Sequence, residues 1–406
     1  MKRERAIRSA AVLLIVCLGV RYAWSTFPTN REDKSRLLDF SEFYAAAKMV
    51  RQGLGRSLYD LKLQAEFQLE VAPVHAFYLR PPFEALLFVP YTYLGYRSAY
   101  MAWLITSLVA LLVAAWLIHN HSNVLEAMLQ YTHGIPVDFG LLFILFLTFG
   151  PTMNCLLIGQ DAILILIIYT ATFRALKQGR ELEAGCLLAC GLFKYHLVLP
   201  FAIIFAIRRR ISFLTGFAAV VVALVALSML ISGPEVLKSY PTMFINPGYR
   251  RLMSFQPEYA ANIHGLVYLL TRDKIPVSAS AAAVIVLSLA LLWFTARRWN
   301  DSQFELYFSA AVVATVLTGF HAFVYDLTLL LLPIAIACGE LAKQRELFRS
   351  SSFNAALLIL FLPSAHNLLA TYHIYALMGL VLLVLFFTII RAISRKSSSQ
   401  VLSVNA

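Results

Sequence analysis

Runs of about twenty apolar residues recur along this chain, the length a helix needs to cross a hydrocarbon core. They fall near 8–26, 97–118, 139–153, 158–176, 211–232, 276–296, 304–319, 322–340, 353–369 and 373–391. A fold in water could not hide them. Of 406 residues 60% are hydrophobic, against about 45–50% in soluble domains, and the mean hydropathy is +0.72. The expected class is an all-α polytopic membrane protein.

The net charge of +12 does not point to nucleic acid. The basic residues sit in short loops between spans, where the positive-inside rule accounts for them. With the basic N-terminus inside, the loops holding Arg174, Lys177 and Arg180, then Arg297 and Arg298, then Lys343, Arg345 and Arg349 lie inside as well. So does the tail with Arg391, Arg395 and Lys396. The first apolar run reads as a retained signal anchor, because no small-x-small cleavage site follows it. One stretch, 184–207, resists the scheme as a single span, since Arg208, Arg209 and Arg210 would then fall outside. A hairpin of two short helices, 184–194 and 196–207, removes the conflict and puts Lys194, Tyr195 and His196 at its outer tip. Such broken helices are tolerated where protein or a wet cavity surrounds them, and Pro200 fits a distorted second arm.

The expected architecture is therefore one integral membrane domain over 1–396, with about twelve helical crossings and both termini cytoplasmic. Its long first outer loop is 28–96 and a second outer loop is 233–274. Segment 119–138 is expected as a cytoplasmic loop with a surface amphipathic helix and solvated His119, His121 and His133. Residues 397–406 read as a disordered tail. Cys17, Cys155, Cys186, Cys190 and Cys338 lie in or beside apolar stretches with no CxxC pair, and read as packing residues.

This threading gathers the costly polar residues on the outer face: Asp39, Gln160, Lys194, His196, Arg250, Arg251, Asn262, His264, His321 and Asp326. Phe40, Phe43, Tyr44, Ala47 and Val50 recur at helical spacing and predict an amphipathic helix on the outer leaflet. Asp39 stands just before it, as an N-cap, as a general base, or as both. Pro81 and Pro82 end any preceding helix and orient a short re-entrant or interfacial one. Arg80 before them either binds phosphate or anchors the loop to headgroups. Gln160, in the turn Gly159-Gln160-Asp161, suits a sugar hydroxyl, and Asp161 reads as a cap. Lys194 at membrane depth is costly, so its default reading is a functional site; snorkelling to headgroups is the alternative. Arg250 and Arg251 offer fork-shaped donors to an anionic phosphate, or to lipid headgroups. Asn262 and His264 open a short apolar segment facing the same side. His321 and Asp326, five apart near a helix end, complete the set.

No HExxH, cysteine cluster or GxxxxGK[ST] loop occurs. Nothing visible requires a divalent metal or another cofactor.

The segments DFSEFYAAAKMVRQGLGRSLYD, YLRPPFEALLFVPYTYL, IGQDAILILIIY, GLFKYHLVLP, ANIHGL and HAFVYDLTLLLLP, in that order over about 35–340, resemble glycosyltransferase family 87 of the GT-C superfamily, also called DUF2029. The chain departs from the family pattern at Asp161, where Asn is frequent, at Arg80, where an apolar or aromatic residue is common, and at His196, where proline is. The resemblance implies a GT-C-like helical bundle in the cell inner membrane. It implies transfer of a hexose or pentose, mannose favoured, from a polyprenyl-phosphate sugar to a glycan or glycolipid acceptor on the periplasmic face. It implies Asp39 as catalytic base. Donor phosphate then falls to Lys194, His196, Arg250, Arg251 and His321, and sugar or acceptor to Gln160, Asn262, His264, Asp326 and Arg80. The partners expected are that donor, that acceptor and membrane lipids. A transporter or flippase of lipid-linked sugars is the competing reading, although no internal repeat of the kind common in transporters is evident.

Overall fold

A computed structural model of the chain describes residues 39–72, 76–131, 138–245, 256–272, 274–343 and 350–404, with a few positions in 13–21. Most of the expected first span, and His133, Arg250, Arg251, Arg345 and Arg349, lie outside the described residues. Every described element is helical.

The opening segment holds α1 (Phe40–Arg51), α2 (Leu61–Leu69) and α3 (Pro82–Phe88). The long α4 (Tyr96–His121) follows, then α5 (Val124–Tyr131) and the pair α6 (Phe139–Thr148) and α7 (Gly150–Ile158). Next come α8 (Ala162–Lys177), α9 (Glu181–Ala189), α10 (Tyr195–Ile207), α11 (Ile211–Ser232) and α12 (Val236–Ile245). The remainder is α13 (Ile263–Thr271), α14 (Val277–Arg298), α15 (Phe304–Thr318), α16 (Leu331–Lys343), α17 (Ser351–Phe361), α18 (Pro363–Thr371) and α19 (Met378–Val404).

Among the described residues five helices are long and apolar enough to cross a membrane, or eight if three bent pairs each count as one span. The sequence predicts about twelve crossings. The difference lies in short helices: α8 has 16 residues and α15 has 15. α15 is apolar all round and buries every residue from Leu306 to Leu317, so protein rather than lipid surrounds it. α11 and α14 are the opposite case. Only 11% and 6% of their apolar windows are buried. Such faces would be an untenable patch in water and suit contact with acyl chains.

The stretch 184–207 breaks as expected, with a 65° bend between α9 and α10. Packing shows that the second arm returns. Tyr169 packs edge-on to Phe201, and Phe205 lies against Trp299. At the far end Arg210 bonds Glu181, the first residue of α9, at 2.8 Å. Lys194 does not sit at an exposed tip, however. It lies in the break with no exposed surface, which also rules out snorkelling. The close approach that lets α9 pack on α11 is made by Gly185 and Gly216. A Cβ on Gly185 would lie 2.0 Å from the Phe213 carbonyl oxygen.

Two more expectations need correction. α1 does not lie on a leaflet: nine of its 12 residues are buried, Ser41 and Glu42 among them, beneath α2, α3 and the turn Val89–Tyr93. Aromatic packing binds it there, with Phe43 stacked on Phe88 at 4.6 Å and Phe88 against Trp103 at 4.6 Å. At the other end of the chain α19 runs to Val404, through most of the segment predicted as a disordered tail. No Pro or Gly interrupts it after Gly379.

Candidate functional site

The site forms where the start of α1 meets the turn between α7 and α8. α7 ends on Gly159 in a left-handed conformation, φ +76°. A Cβ there would sit 2.7 Å from the Cβ of Phe40, so glycine is needed twice over, for the backbone and for the approach. Trp103 Nε1 donates to the Gly159 carbonyl at 3.0 Å and fixes the turn. The following residue, Gln160, is thereby brought to Asp39.

Asp39 begins α1, but its side chain makes no capping bond. Its Oδ2 instead accepts from Gln160 Nε2 at 2.6 Å. The other end of that carboxamide accepts from Arg80 Nη2 at 3.1 Å and from Lys194 Nζ at 3.5 Å. Two cations on the oxygen leave only one orientation for the amide, with its NH2 aimed at Asp39. Asp161 is no cap either. Its two oxygens take Lys194 at 2.9 Å and Arg80 at 3.3 Å. Lys194 Nζ also reaches Asp326 Oδ1 at 2.9 Å and lies 4.8 Å from the Tyr325 ring centre. The second oxygen of Asp326 accepts from the Phe323 amide at 3.1 Å and stands 3.6 Å from His196 Nε2.

Arg80 is not an anchor to lipid headgroups. It is 18% exposed and held within 4.0 Å of Glu42, 3.5 Å of Glu84 and 3.3 Å of Asp161, over the Phe43 ring at 4.9 Å. The Tyr59 hydroxyl bonds its carbonyl at 2.8 Å. Glu42 and Glu84 were not singled out from the sequence. Glu42 falls one turn after Asp39, and Glu84 interrupts the apolar run FEALLFV; an ionisable residue in such a run is the signal that identifies it. Burial holds the Glu84 carboxyl well above the usual carboxylate range, against the pull of Arg80. Burial likewise raises Glu42 from 4.5 to about 8, with Arg80 opposing and Asp39 and Asp161 reinforcing.

That shift has a defined sign. Between about pH 4.5 and pH 8 the folded protein retains a proton on Glu42 that the unfolded chain has released. Stability from this group therefore falls as pH rises across that window, and the loss is complete above about 8. Glu42→Gln, which is neutral in both states, is expected to flatten the decline in thermal midpoint between pH 5 and pH 8. An unchanged decline in the variant would show that Glu42 is ionised when folded.

The remaining polar residues are graded by distance. The His196 and His321 rings lie 5.7 Å apart, edge to face, which sets His321 beside the network. Burial drives His321 down to about 3, so its imidazole is neutral at neutral pH. Asn262 is fully buried and caps α13, accepting from the Gly265 amide at 2.9 Å and donating to the Gly319 carbonyl. His264 Nδ1 is 3.4 Å from the Phe320 carbonyl. These two clamp α13 to the segment after α15. Among the described residues no group of three His, Cys, Asp or Glu side chains is arranged to hold a metal ion.

Comparison with known proteins gives one match. Residues 78–333 match the sequence model of glycosyltransferase family 87. No curated protein and no solved structure matches the chain. The matched region holds Arg80, Gln160, Asp161, Lys194, His196 and Asp326, and Asp39 lies before it.

Proposed function

The chain belongs to glycosyltransferase family 87 and is a membrane glycosyltransferase, and from that premise we propose that it takes a hexose or pentose, mannose favoured, from a polyprenyl-phosphate sugar on the periplasmic face. The acceptor is a glycan or glycolipid, and Asp39 is the general base. One observation carries this reading. Asp39 is partly exposed, yet it is held through an oriented carboxamide to two cations from distant parts of the chain. A carboxylate fixed in that way is placed to take a proton rather than to swing in solvent.

The chemistry follows from the needs of the bond. The acceptor hydroxyl gives its proton to Asp39 as its oxygen attacks the anomeric carbon. The bond from that carbon to the phosphate oxygen breaks, and the electron pair leaves with the lipid phosphate. A single displacement inverts the anomeric configuration. Donors preplaced around the leaving phosphate stabilise charge that grows in the transition state. His196 and His321, with Arg250 and Arg251 from the second outer loop, are the groups proposed to meet it. Lys194 is enclosed by Asp161 and Asp326, which supports a role behind Gln160, holding the base in position, rather than direct contact with phosphate. Gln160, Arg80, Asp326, Asn262 and His264 then shape the sugar and acceptor side, directly or from behind.

The test is reconstituted protein given polyprenyl-phosphate mannose labelled in the sugar, with a membrane glycolipid extract as acceptor. Label is expected in a new glycosidic bond of inverted configuration. Transfer only from a nucleotide sugar would overturn the donor assignment. Movement of intact lipid-linked sugar across the vesicle, with no new bond, would make the protein a transporter.

A further inference from the structure

A second cluster of basic residues lies at the other end of α8. α8 begins at the Asp39 site with Asp161 and ends at Lys177, which pairs with Glu305 at 3.1 Å. At that end the chain turns sharply between α10 and α11, through Arg209 in a left-handed conformation, φ +57°. Non-glycine residues held in this region are strained, and such strain clusters at ligand clamps among other functional places. Beside the turn is a cavity of about 660 Å³ between the ends of α10 and α14, lined by Ala206, Arg208, Arg209, Trp293, Ala296 and Arg297 among others.

No carboxylate lines this cavity. Arg208 is already held by Asp301 at 2.9 Å and lies over Trp299 at 4.5 Å. Arg209 and Arg297 have no ion pair among the described residues, and Arg297 lies over the Trp293 ring at 5.4 Å. The cavity thus presents two guanidinium groups with no protein anion against them.

Its surroundings have the shape of an amphiphile. On α10 Leu199 and Ile203, 42% and 37% exposed, stand on one face with Ala206 and run up to the cavity. On α14 Val286, Leu289 and Trp293 are 65%, 51% and 56% exposed and share one face with Arg297 at spacings of three and four. Two apolar stripes converge on a basic head. An ion from solution needs the arginines alone, whereas a lipid uses both parts. We propose that this cavity binds the phosphate of an anionic phospholipid, with its acyl chains along the two stripes. Guanidinium forks suit phosphate oxygens, and headgroup phosphates lie at the depth where basic residues flank a span.

The protein in a neutral detergent is titrated with short-chain phosphatidylglycerol, short-chain phosphatidylcholine and inorganic phosphate, reading the thermal midpoint. Phosphatidylglycerol is expected to raise it saturably, and the other two are not. Losing a charge-assisted bond at each site weakens binding by about tenfold or more, so Arg209→Gln/Arg297→Gln should need at least that much more lipid. Arg297→Gln alone, on the exposed end of α14, carries the test if the double variant fails to fold. Phosphatidylcholine acting as well as phosphatidylglycerol would overturn the proposal, as would an undiminished response in the variant. Inorganic phosphate reproducing the effect would assign the site to a free anion instead.

Discussion

Asp39→Asn protein is expected to transfer sugar about 10²–10⁴ times more slowly than wild type, the range that a positioned general base contributes. The loss should fall on turnover, with the donor KM little changed, because the carboxylate is asked to act on the acceptor hydroxyl. The substitution is conservative where folding is concerned. An Asn oxygen can still accept from Gln160 Nε2, and the side chain makes no helix cap that could be lost. Fluorescence-detected gel filtration should therefore give a profile like that of wild type. Turnover within a few-fold of wild type would remove Asp39 from the chemistry. Gln160→Leu offers a second measurement. It leaves the carboxylate in place but removes the Gln160 tether, so turnover should fall by less than in Asp39→Asn, and Gln160→Glu should not rescue it. A glutamate at that position would put a second anion beside Asp39 and offer its fork to Arg80 and Lys194.

The extent to which this site is legible in the sequence follows from the type of signal each residue gives. Span-length apolar runs locate α4, α11 and α14 within a few residues, because lipid imposes length directly. The break near Lys194 is legible from the basic triplet Arg208, Arg209 and Arg210, which has to return to the side carrying Arg180. Asp39, Gln160, Lys194 and Asp326 stand out as polar residues at one level of the bundle, and the structure joins them in one network. What they do to each other is not legible. Helical spacing gives α1 an apolar face, but it cannot say that α2 and α3 cover the other face and bury Glu42. Nor can it say that Arg80, next to two prolines in a loop, turns inward to meet three acids. Those contacts join positions up to 81 residues apart for Arg80 with Asp161, and no local pattern records them. Asn262 shows the converse: its place in the sequence suits a ligand-binding amide, while both its bonds go to backbone.

Lys194→Met is expected to cost about 3–5 kcal/mol of stability, the loss seen when one partner of a buried ion pair is removed. Methionine fills much of the same volume, so the cost is electrostatic. Asp161 and Asp326 each lose a contact of 2.9 Å and are left as buried anions with one cation fewer between them. Arg80 still reaches Asp161, but among the described residues Asp326 keeps no close cation, only the Phe323 amide and the His196 ring at 3.6 Å. The rescue pattern follows from that difference. Asp326→Asn added to Lys194→Met should recover much of the lost stability, since the poorly compensated charge is gone. Asp161→Asn should recover less, because it also strips Arg80 of a partner. The measurement is the thermal midpoint of each purified variant in the same detergent. Were Lys194→Met as stable as wild type, with its donor KM raised tenfold or more, the lysine would be contacting the lipid phosphate. Its pairing with the two aspartates would then yield whenever donor binds. Loss of stability with rescue at Asp326 means instead that Lys194 is the post against which Gln160, and through it the base, is set.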